Sequence, residues 1–379
     1  MDSVERKGFE IWVRWTGLSS DSLPRRFSSS VLNQFSRLSQ TVLEPPSQNA
    51  TGYEPILEAS ADRQLWSLSK EFKMSPLPFW PAGQPYAVCV THDIDRVFST
   101  IHRLSWDRNY RIDTFRSVWM DFVSAHVRKL HDNNPFCNFY RTIRLEKQWG
   151  IPSVCYVLFE KRRLFMAIRK REPQHFFGVY RPEEIVRELE DYRDAGNEIG
   201  IHGSFDSWCN ADALSKELNK MRNCGFSPVC GVRNHYLNFS LEQSPAIQQA
   251  AGLMYDSSLG FNFTSGFRSG TGFPFWLGAI WELPFQLMDS SLRFQYRAFA
   301  DRRQVALKVL DEIKRVGGVL VLNWHLHRMN EQDFPDDVGL LEEIVSIAKK
   351  DGAWFSRPCD VITHWTNRGA VVKKVGETL

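Results

Sequence analysis

The stretch "YAVCVTHDIDRVF", residues 86–98, decides the fold of this chain. Its first half is apolar and β-branched, which predicts a strand that is buried on both faces. His92, Asp93 and Asp95 then place three ionisable side chains within four positions. Buried charges are costly unless they are paired or hold a metal ion. The stretch therefore predicts that other segments supply partners for these residues at the end of a strand.

The sequence after this stretch alternates between strand-like and helix-like patterns. Further strands are predicted at residues 152–159, 197–203, 228–236, 253–260, 279–285, 318–325 and 353–358. Helices are predicted at residues 181–197, 212–225, 301–318 and 339–352. Seven or eight such units predict a parallel sheet covered by helices, and they favour a closed or distorted barrel. An open doubly wound sheet is the alternative, although no glycine-rich phosphate loop follows a predicted strand.

Composition and charge make some classes of function unexpected. The 379 residues carry a net charge of +3 and no dense stripe of lysine and arginine, so nucleic-acid binding is not expected. No apolar run is long enough to span a bilayer, and the first residues lack the pattern of a secretory signal. The seven cysteines are odd in number and scattered, which indicates a reducing compartment. A cytoplasmic location is therefore expected.

The composition also changes along the chain. Residues 1–80 are rich in serine, proline and asparagine with weak periodicity, and they predict an N-terminal extension that is peripheral or partly ordered. Residues 81–368 contain the strand–helix alternation and form the predicted barrel domain. Residues 369–379 are expected to be a C-terminal tail.

Ionisable residues gather at the carboxyl ends of the predicted strands, where parallel barrels carry their active sites. These residues are His92, Asp93, Asp95, His202, Arg233, His235, Asp256, Glu282, His325 and His327. Carboxylates and imidazoles together suit a divalent metal ion such as zinc. Two aspartates spaced i, i+2 can divide the work, one as a metal ligand and one as a base. The structural alternative for Asp93 and Asp95 is a capping or turn pair.

Five segments, in chain order, resemble the motifs of the polysaccharide deacetylase superfamily (carbohydrate esterase family 4, NodB homology). They are "THDID", "EIGIHGSFDS", "GVRNHY", "YDSSLGF" and "LVLNWH". With "ELPFQLMD" and Asn134–Pro135–Phe136, they most closely resemble a WbmS-like subgroup from bacterial surface-polysaccharide gene clusters. The resemblance covers roughly residues 80–365. It implies a distorted (β/α)7 barrel and a metal-dependent hydrolase that removes acetyl groups from N-acetylated sugars of a bacterial surface polysaccharide, such as lipopolysaccharide, or its precursor.

The resemblance also implies roles for individual residues. Asp93 would be the general base that activates water, and Arg233 would orient it. Asp95 and His202 would be metal ligands, and the backbone N–H of Tyr236 would contact the oxyanion. His325 would be the general acid, and Asp256 would tune it. The implied cofactor is a divalent ion, with zinc as the leading candidate and cobalt, nickel or iron as alternatives.

The sequence departs from the family at one metal ligand. The usual second motif is His-x-x-x-His, but Asp206 stands in the place of its second histidine. The third ligand could be Asp206, or His92 or His235 could complete the site. A weakened site would suit a glycan-binding or assembly protein with no activity. Hydrolysis of an amide that is not part of a sugar is a further alternative.

Overall fold

The computed structural model describes residues 1–17, 27–44, 46–47, 54–97, 137–160, 180–331 and 334–376. The motif segment Asn134–Pro135–Phe136 lies outside these residues. The strands, in chain order, are β1 (Ala87–Ile94), β2 (Ser153–Leu158), β3 (Glu198–Gly203), β4 (Gly231–Asn234), β5 (Tyr255–Asp256), β6 (Phe275–Trp276), β7 (Trp281–Glu282), β8 (Leu287–Met288), β9 (Val319–Asn323) and β10 (Trp354–Phe355).

The α-helices lie mainly between these strands. They are α1 (Ser3–Thr16), α2 (Ser29–Leu43), α3 (Ser60–Glu71), α4 (Phe139–Trp149), α5 (Val186–Asp194), α6 (Ala211–Asn223), α7 (Ser244–Ala250), α8 (Asp289–Gln295), α9 (Phe299–Val316), α10 (Pro335–Lys350) and α11 (Pro358–Gly376). None of these described helices is both long enough and apolar enough to cross a bilayer.

The described strands form one curled, half-barrel sheet. Its order is β6-β7-β5-β4-β3-β2-β1-β9-β8, and β10 pairs with the first residues of β1. All pairings are parallel except the β6–β7 hairpin. Strand β1 lies near the middle and is buried along its whole length, as its apolar first half predicts. The predicted α/β barrel class is therefore confirmed.

Parallel pairing brings the carboxyl ends of the strands to one edge of the sheet. Ile94 at the end of β1 pairs with Val157, and His202 of β3 pairs with Leu158 and with Arg233. On the other side of β1, Thr91 pairs with Asn323 of β9. The polar residues that follow these strands are consequently neighbours in space, although more than 200 positions separate them in the sequence.

The first 80 residues contain three described helices that pack on the barrel. Trp12 of α1, Phe35 of α2 and Leu65 of α3 belong to the same apolar core as the barrel strands. Arg63 of α3 forms an ion pair with Glu312 of α9, at 2.7 Å from Nε to Oε1. The division of the chain at residue 80 remains a prediction, but these contacts connect the segment to the barrel core.

Candidate active site

Strand β1 places His92 apart from the two aspartates that follow it in the motif. Successive side chains of a strand point to opposite faces, so Asp93 and Asp95 share one face and His92 takes the other. The His92 ring is fully buried, with Nδ1 2.7 Å from the Trp324 carbonyl oxygen and Nε2 2.8 Å from Glu146 Oε1. Both of its nitrogens have structural partners, and His92 does not reach the cluster of candidate metal ligands.

Asp93 is held from two sides. Arg233 Nη1 donates to Oδ1 at 3.0 Å, and Asn323 Nδ2 donates to Oδ2 at 2.7 Å. Burial alone would raise the pKa of the Asp93 carboxyl, but the charges of Arg233, His202 and His325 outweigh it and lower that pKa. Asp93 is therefore a carboxylate at neutral pH.

Arg233 is fully buried, with a partner for each side of its guanidinium group. Besides Asp93, Nη1 donates to Thr91 Oγ1 at 2.7 Å, and Nε and Nη2 donate to the carbonyl and hydroxyl oxygens of Ser257 at 2.9 Å each. The rings of Tyr156 and Phe285 lie 4.7 and 4.8 Å from the guanidinium carbon. These contacts fix the position of the arginine, and they support the predicted orientation of Asp93.

Asp95, His202 and His235 form the one metal-compatible cluster found among the described residues. One ligand atom of each lies within 4.8 Å of the others. The Nε2 atoms of His202 and His235 are 3.3 and 4.0 Å from Asp95 Oδ1. That oxygen is buried and accepts no hydrogen bond from a described residue. His202 Nδ1 lies 2.8 Å from the Arg233 carbonyl oxygen and His235 Nδ1 lies 3.5 Å from Glu160 Oε2, so both Nε2 atoms are turned toward Asp95. The donor set fits a divalent ion.

Asp206 lies outside this cluster and is exposed. His-x-x-x-His brings two ligands together when they lie one helical turn apart, but His202 is the penultimate residue of strand β3. The chain then turns, and Asp206 precedes a short 3-10 turn over Ser207–Cys209. Of the three candidates for the third ligand, the structure therefore places His235 in the cluster, and neither Asp206 nor His92.

His325 faces the same site from the end of β9. Its Nε2 lies 3.5 Å from Asp95 Oδ2, while its Nδ1 lies 2.6 Å from Asp289 Oδ1. Asp289 Oδ2 also accepts the His325 backbone N–H at 2.8 Å. Burial alone would lower the pKa of His325, but Asp289, together with the charges of Asp95 and Asp93, outweighs burial and raises that pKa to about 9. His325 is therefore protonated at neutral pH, as a general acid requires.

Asp256 does not contact His325, although its predicted role as the residue that tunes the acid would require that contact. Its side chain contacts Gln248, Asn234 and Ser258 at 2.6 to 3.3 Å, and it also hydrogen-bonds with Glu282. It pairs in register with Glu282 on the neighbouring strand, and burial followed by the charge of Asp256 raises the pKa of Glu282 well above its usual value. The carboxylate in contact with His325 is Asp289 rather than Asp256.

Tyr236 follows the cluster residue His235 directly. Its backbone has φ 57° and ψ 17°, in the left-handed region that few non-glycine residues adopt. Its ring is 42% exposed and packs against Phe205, with ring centroids 5.9 Å apart. Asn262 donates a hydrogen bond to the Tyr236 carbonyl oxygen at 2.9 Å. The residue is thus held at the edge of the site in a conformation that its neighbours maintain.

Sequence reasoning missed three polar residues of the site. They are Asn323, which binds Asp93, Asp289, which binds His325, and Glu160, which faces His235. Asn323 and Asp289 lie within the segments "LVLNWH" and "ELPFQLMD", so a signal for them was present. Glu160 directly follows the strand-like run at residues 152–159, and its position at a strand end was the available signal.

Comparison with known proteins supports the fold. No protein-family model matches the sequence, and no curated protein matches it. Among solved structures, a Mycobacterium smegmatis protein assigned as a polysaccharide deacetylase has a TM-score of 0.50 and 20% identity over 76% of this chain and 93% of that chain. A Pseudomonas aeruginosa PAO1 protein with the same assignment gives 0.48 and 16% over 79% and 97%, and PuuE allantoinase gives 0.49 and 15% over 76% and 93%. The chain therefore has the (β/α) barrel fold seen in a structure assigned as a polysaccharide deacetylase, whereas the narrower WbmS-like assignment stays a prediction.

Proposed function

We propose that this protein is a metal-dependent hydrolase that removes acetyl groups from N-acetylated sugars. The observation that carries the proposal is one buried cluster with three functions. It combines a set of candidate metal ligands centred on Asp95, an ionised carboxylate at Asp93 and a protonated imidazole at His325. Hydrolysis of an amide needs a base for water and an acid for the leaving nitrogen, and these two residues meet those needs.

Asp95, His202 and His235 would hold the ion. The two imidazoles present Nε2, and the buried Asp95 Oδ1 has no hydrogen-bond donor among the described residues. A divalent ion in that position supplies Lewis acidity, which polarises an amide carbonyl and lowers the pKa of a water molecule. Zinc is the leading candidate because the donor set is two imidazoles and a carboxylate.

Asp93 acts as the general base. Arg233 and Asn323 occupy one hydrogen-bonding direction on each of its oxygens and orient the carboxylate, which keeps further acceptor capacity. Asp93 takes a proton from the attacking water as the water oxygen bonds to the acetyl carbon. Tyr236 contributes its backbone N–H to the oxyanion that forms on the carbonyl oxygen.

His325 acts as the general acid. Its Nδ1 is hydrogen-bonded to Asp289, so Nε2 is the atom that donates a proton to the sugar nitrogen. The carbon–nitrogen bond then breaks, and the products are acetate and a free amino sugar. Asp289 stabilises the protonated ring before transfer, which is the role that sequence reasoning gave to Asp256.

The substrate class rests on motif resemblance and on the fold. We propose a bacterial surface polysaccharide, such as lipopolysaccharide, or its precursor as the source of the acetylated sugar. The seven cysteines are free, which supports the proposed cytoplasmic location and action on a precursor. The alternative of an inactive glycan-binding protein was based on Asp206, which stands in the place of a histidine ligand. With His235 in the cluster, the proposed site has three candidate ligands without Asp206.

The test combines metal content with acetate release. The purified protein would be analysed by plasma mass spectrometry and incubated with N-acetylated oligosaccharides, with allantoin as an amide that is not part of a sugar. We expect about one divalent ion per chain, release of acetate from the saccharides, and no opening of the allantoin ring. Asp95→Ala and His202→Ala should lose both the ion and the activity. Asp206→Ala is the matched control and should keep both.

Two results would contradict the proposal. A parent protein that binds none of zinc, cobalt, nickel or iron would exclude the metal-dependent mechanism. A metal-loaded protein that hydrolyses allantoin and no acetylated saccharide would support the other hydrolase reading.

A further inference from the structure

Glu160 is a buried carboxylate at the edge of the candidate metal cluster. It lies two residues after the end of β2, and its side chain is only 5% exposed. Its Oε2 accepts the backbone N–H of Phe205 at 2.9 Å and lies 3.5 Å from His235 Nδ1. Neither the sequence motifs nor the mechanism above uses this residue. The Phe205 N–H and the His235 ring are among the groups that offset the cost of burying this carboxylate.

The position of Glu160 determines which nitrogen of His235 can bind a metal ion. A neutral imidazole carries one proton, and a carboxylate next to Nδ1 holds the proton there. The lone pair is then on Nε2, and Nε2 is the atom that faces Asp95 Oδ1. The Arg233 carbonyl oxygen has the same effect on His202 through a hydrogen bond of 2.8 Å. Each histidine thus has one acceptor that fixes its proton away from Asp95.

We propose that Glu160 is a positioning residue for the metal centre, and that it makes His235 the third ligand in place of Asp206. The metal centre itself belongs to the function proposed above. The new element is that the lost histidine of the His-x-x-x-His pattern is replaced from the neighbouring strand, β4, with a carboxylate from β2 to hold it. Asp206 is then not required as a metal ligand.

The competing explanation is that Glu160 only anchors the Phe205 backbone. Both contacts use the same oxygen, Oε2, so a glutamine with its amide oxygen at that position keeps an acceptor for the Phe205 N–H and for His235 Nδ1. Glu160→Gln therefore removes only the negative charge, whereas Glu160→Ala removes the acceptor from both groups. Glu160→Ala should move the proton of His235 from Nδ1 to Nε2, which the loss of a loop anchor alone would not do.

The experiment measures zinc affinity by competition with a chromophoric chelator. We expect Glu160→Ala to bind zinc about 10- to 100-fold more weakly than the parent, which is the usual effect of removing a partner of a metal-bound histidine. Glu160→Gln keeps the acceptor and should lose less affinity than Glu160→Ala. Asp206→Ala, the matched control, should bind zinc as the parent does, and His235→Gln should lose at least as much affinity as Glu160→Ala. Parent-like zinc binding by Glu160→Ala, or equal losses in Glu160→Ala and Asp206→Ala, would overturn the proposal.

A second measurement does not depend on the metal or on a variant that folds. Nitrogen-15 NMR of the histidine-labelled, metal-free parent reports the tautomer of His235 directly. Protonation at Nδ1 supports the proposal, and a neutral ring protonated at Nε2 refutes it. If the parent binds no zinc, the proposed function fails, while the tautomer still decides the role of Glu160.

Discussion

Replacement of Arg233 by methionine should destabilise the protein strongly, because it leaves a buried carboxylate without its cation. Arg233 and Asp93 are both buried, with Nη1 3.0 Å from Oδ1. Methionine fills much of the same space between the rings of Tyr156 and Phe285 and carries no charge. The substitution therefore tests the ion pair more than the packing around it.

The magnitude follows from the burial of Asp93. Removal of one partner of a buried pair costs about 3–5 kcal/mol, since the other charge stays in a poorly polarisable environment. Burial raises the pKa of the Asp93 carboxyl, and the charge of Arg233 is the largest influence that lowers it. Arg233→Met should therefore also raise the pKa of Asp93. The base would then be protonated over a wider pH range, and the proposed activity would fall.

The assay is urea denaturation of the metal-free protein at neutral pH, with Arg233→Met, Asp93→Asn and the double variant. The single variants each leave one buried group uncompensated, whereas the double variant removes both charges. We expect the double variant to be more stable than the sum of the two single losses predicts, by at least about 1.5–3 kcal/mol. Additive losses, or a loss below about 1 kcal/mol for Arg233→Met, would refute the reasoning.

Three further predictions concern stability. Burial raises the pKa of Asp62 to about 7. The contribution of this group to the free energy of unfolding should therefore fall by about 4 kcal/mol as the pH rises from about 4 to 7. Urea denaturation of Asp62→Asn should not show that fall. Gly231→Ala should lower the melting temperature and cost about 1–3 kcal/mol, because a Cβ would lie 1.9 Å from the Tyr255 ring, whereas Gly339→Ala in α10, with no atom within 4 Å, should gain up to about 1 kcal/mol. The guanidinium group of Arg368 donates to five backbone carbonyls, three of them at the end of α1. Arg368→Leu should therefore lower the free energy of unfolding by at least about 2 kcal/mol and increase hydrogen exchange in α1. Unchanged exchange in α1 would contradict this prediction.

The barrel could be predicted because its long strands carry a clear pattern. The runs that became β1, β2, β3 and β9 are largely apolar, and a polar side chain lies within two residues of the end of each. Parallel pairing of such strands is enough to bring their carboxyl ends together. The gathering of Asp93, His202, Arg233 and His325 at one site follows from this topology alone.

The rest of the fold lacked such a signal. Strands β6 and β8 have two residues each, which is too short for any alternation to be read from the sequence. Asp289 follows β8 directly, and the neighbouring β9 leads to His325, so the contact between them depends on a pairing that no periodicity reveals. Asp256, by contrast, follows a clearly apolar run, but its side chain pairs with Glu282 rather than with His325.

The candidate metal ligands show why residue spacing alone was insufficient. A His-x-x-x-His pattern assumes a helical turn after the first histidine, and at residue 206 that turn does not exist. The space near His202 is filled instead from the adjacent strand, because parallel register places Arg233 beside His202 and the next residues of β4 lead to His235. A candidate ligand on the adjacent strand can thus lie 4.0 Å from Asp95 without a helical turn after His202. The second ring nitrogen of that histidine then needs a partner of its own, and Glu160, just after β2, lies 3.5 Å from it.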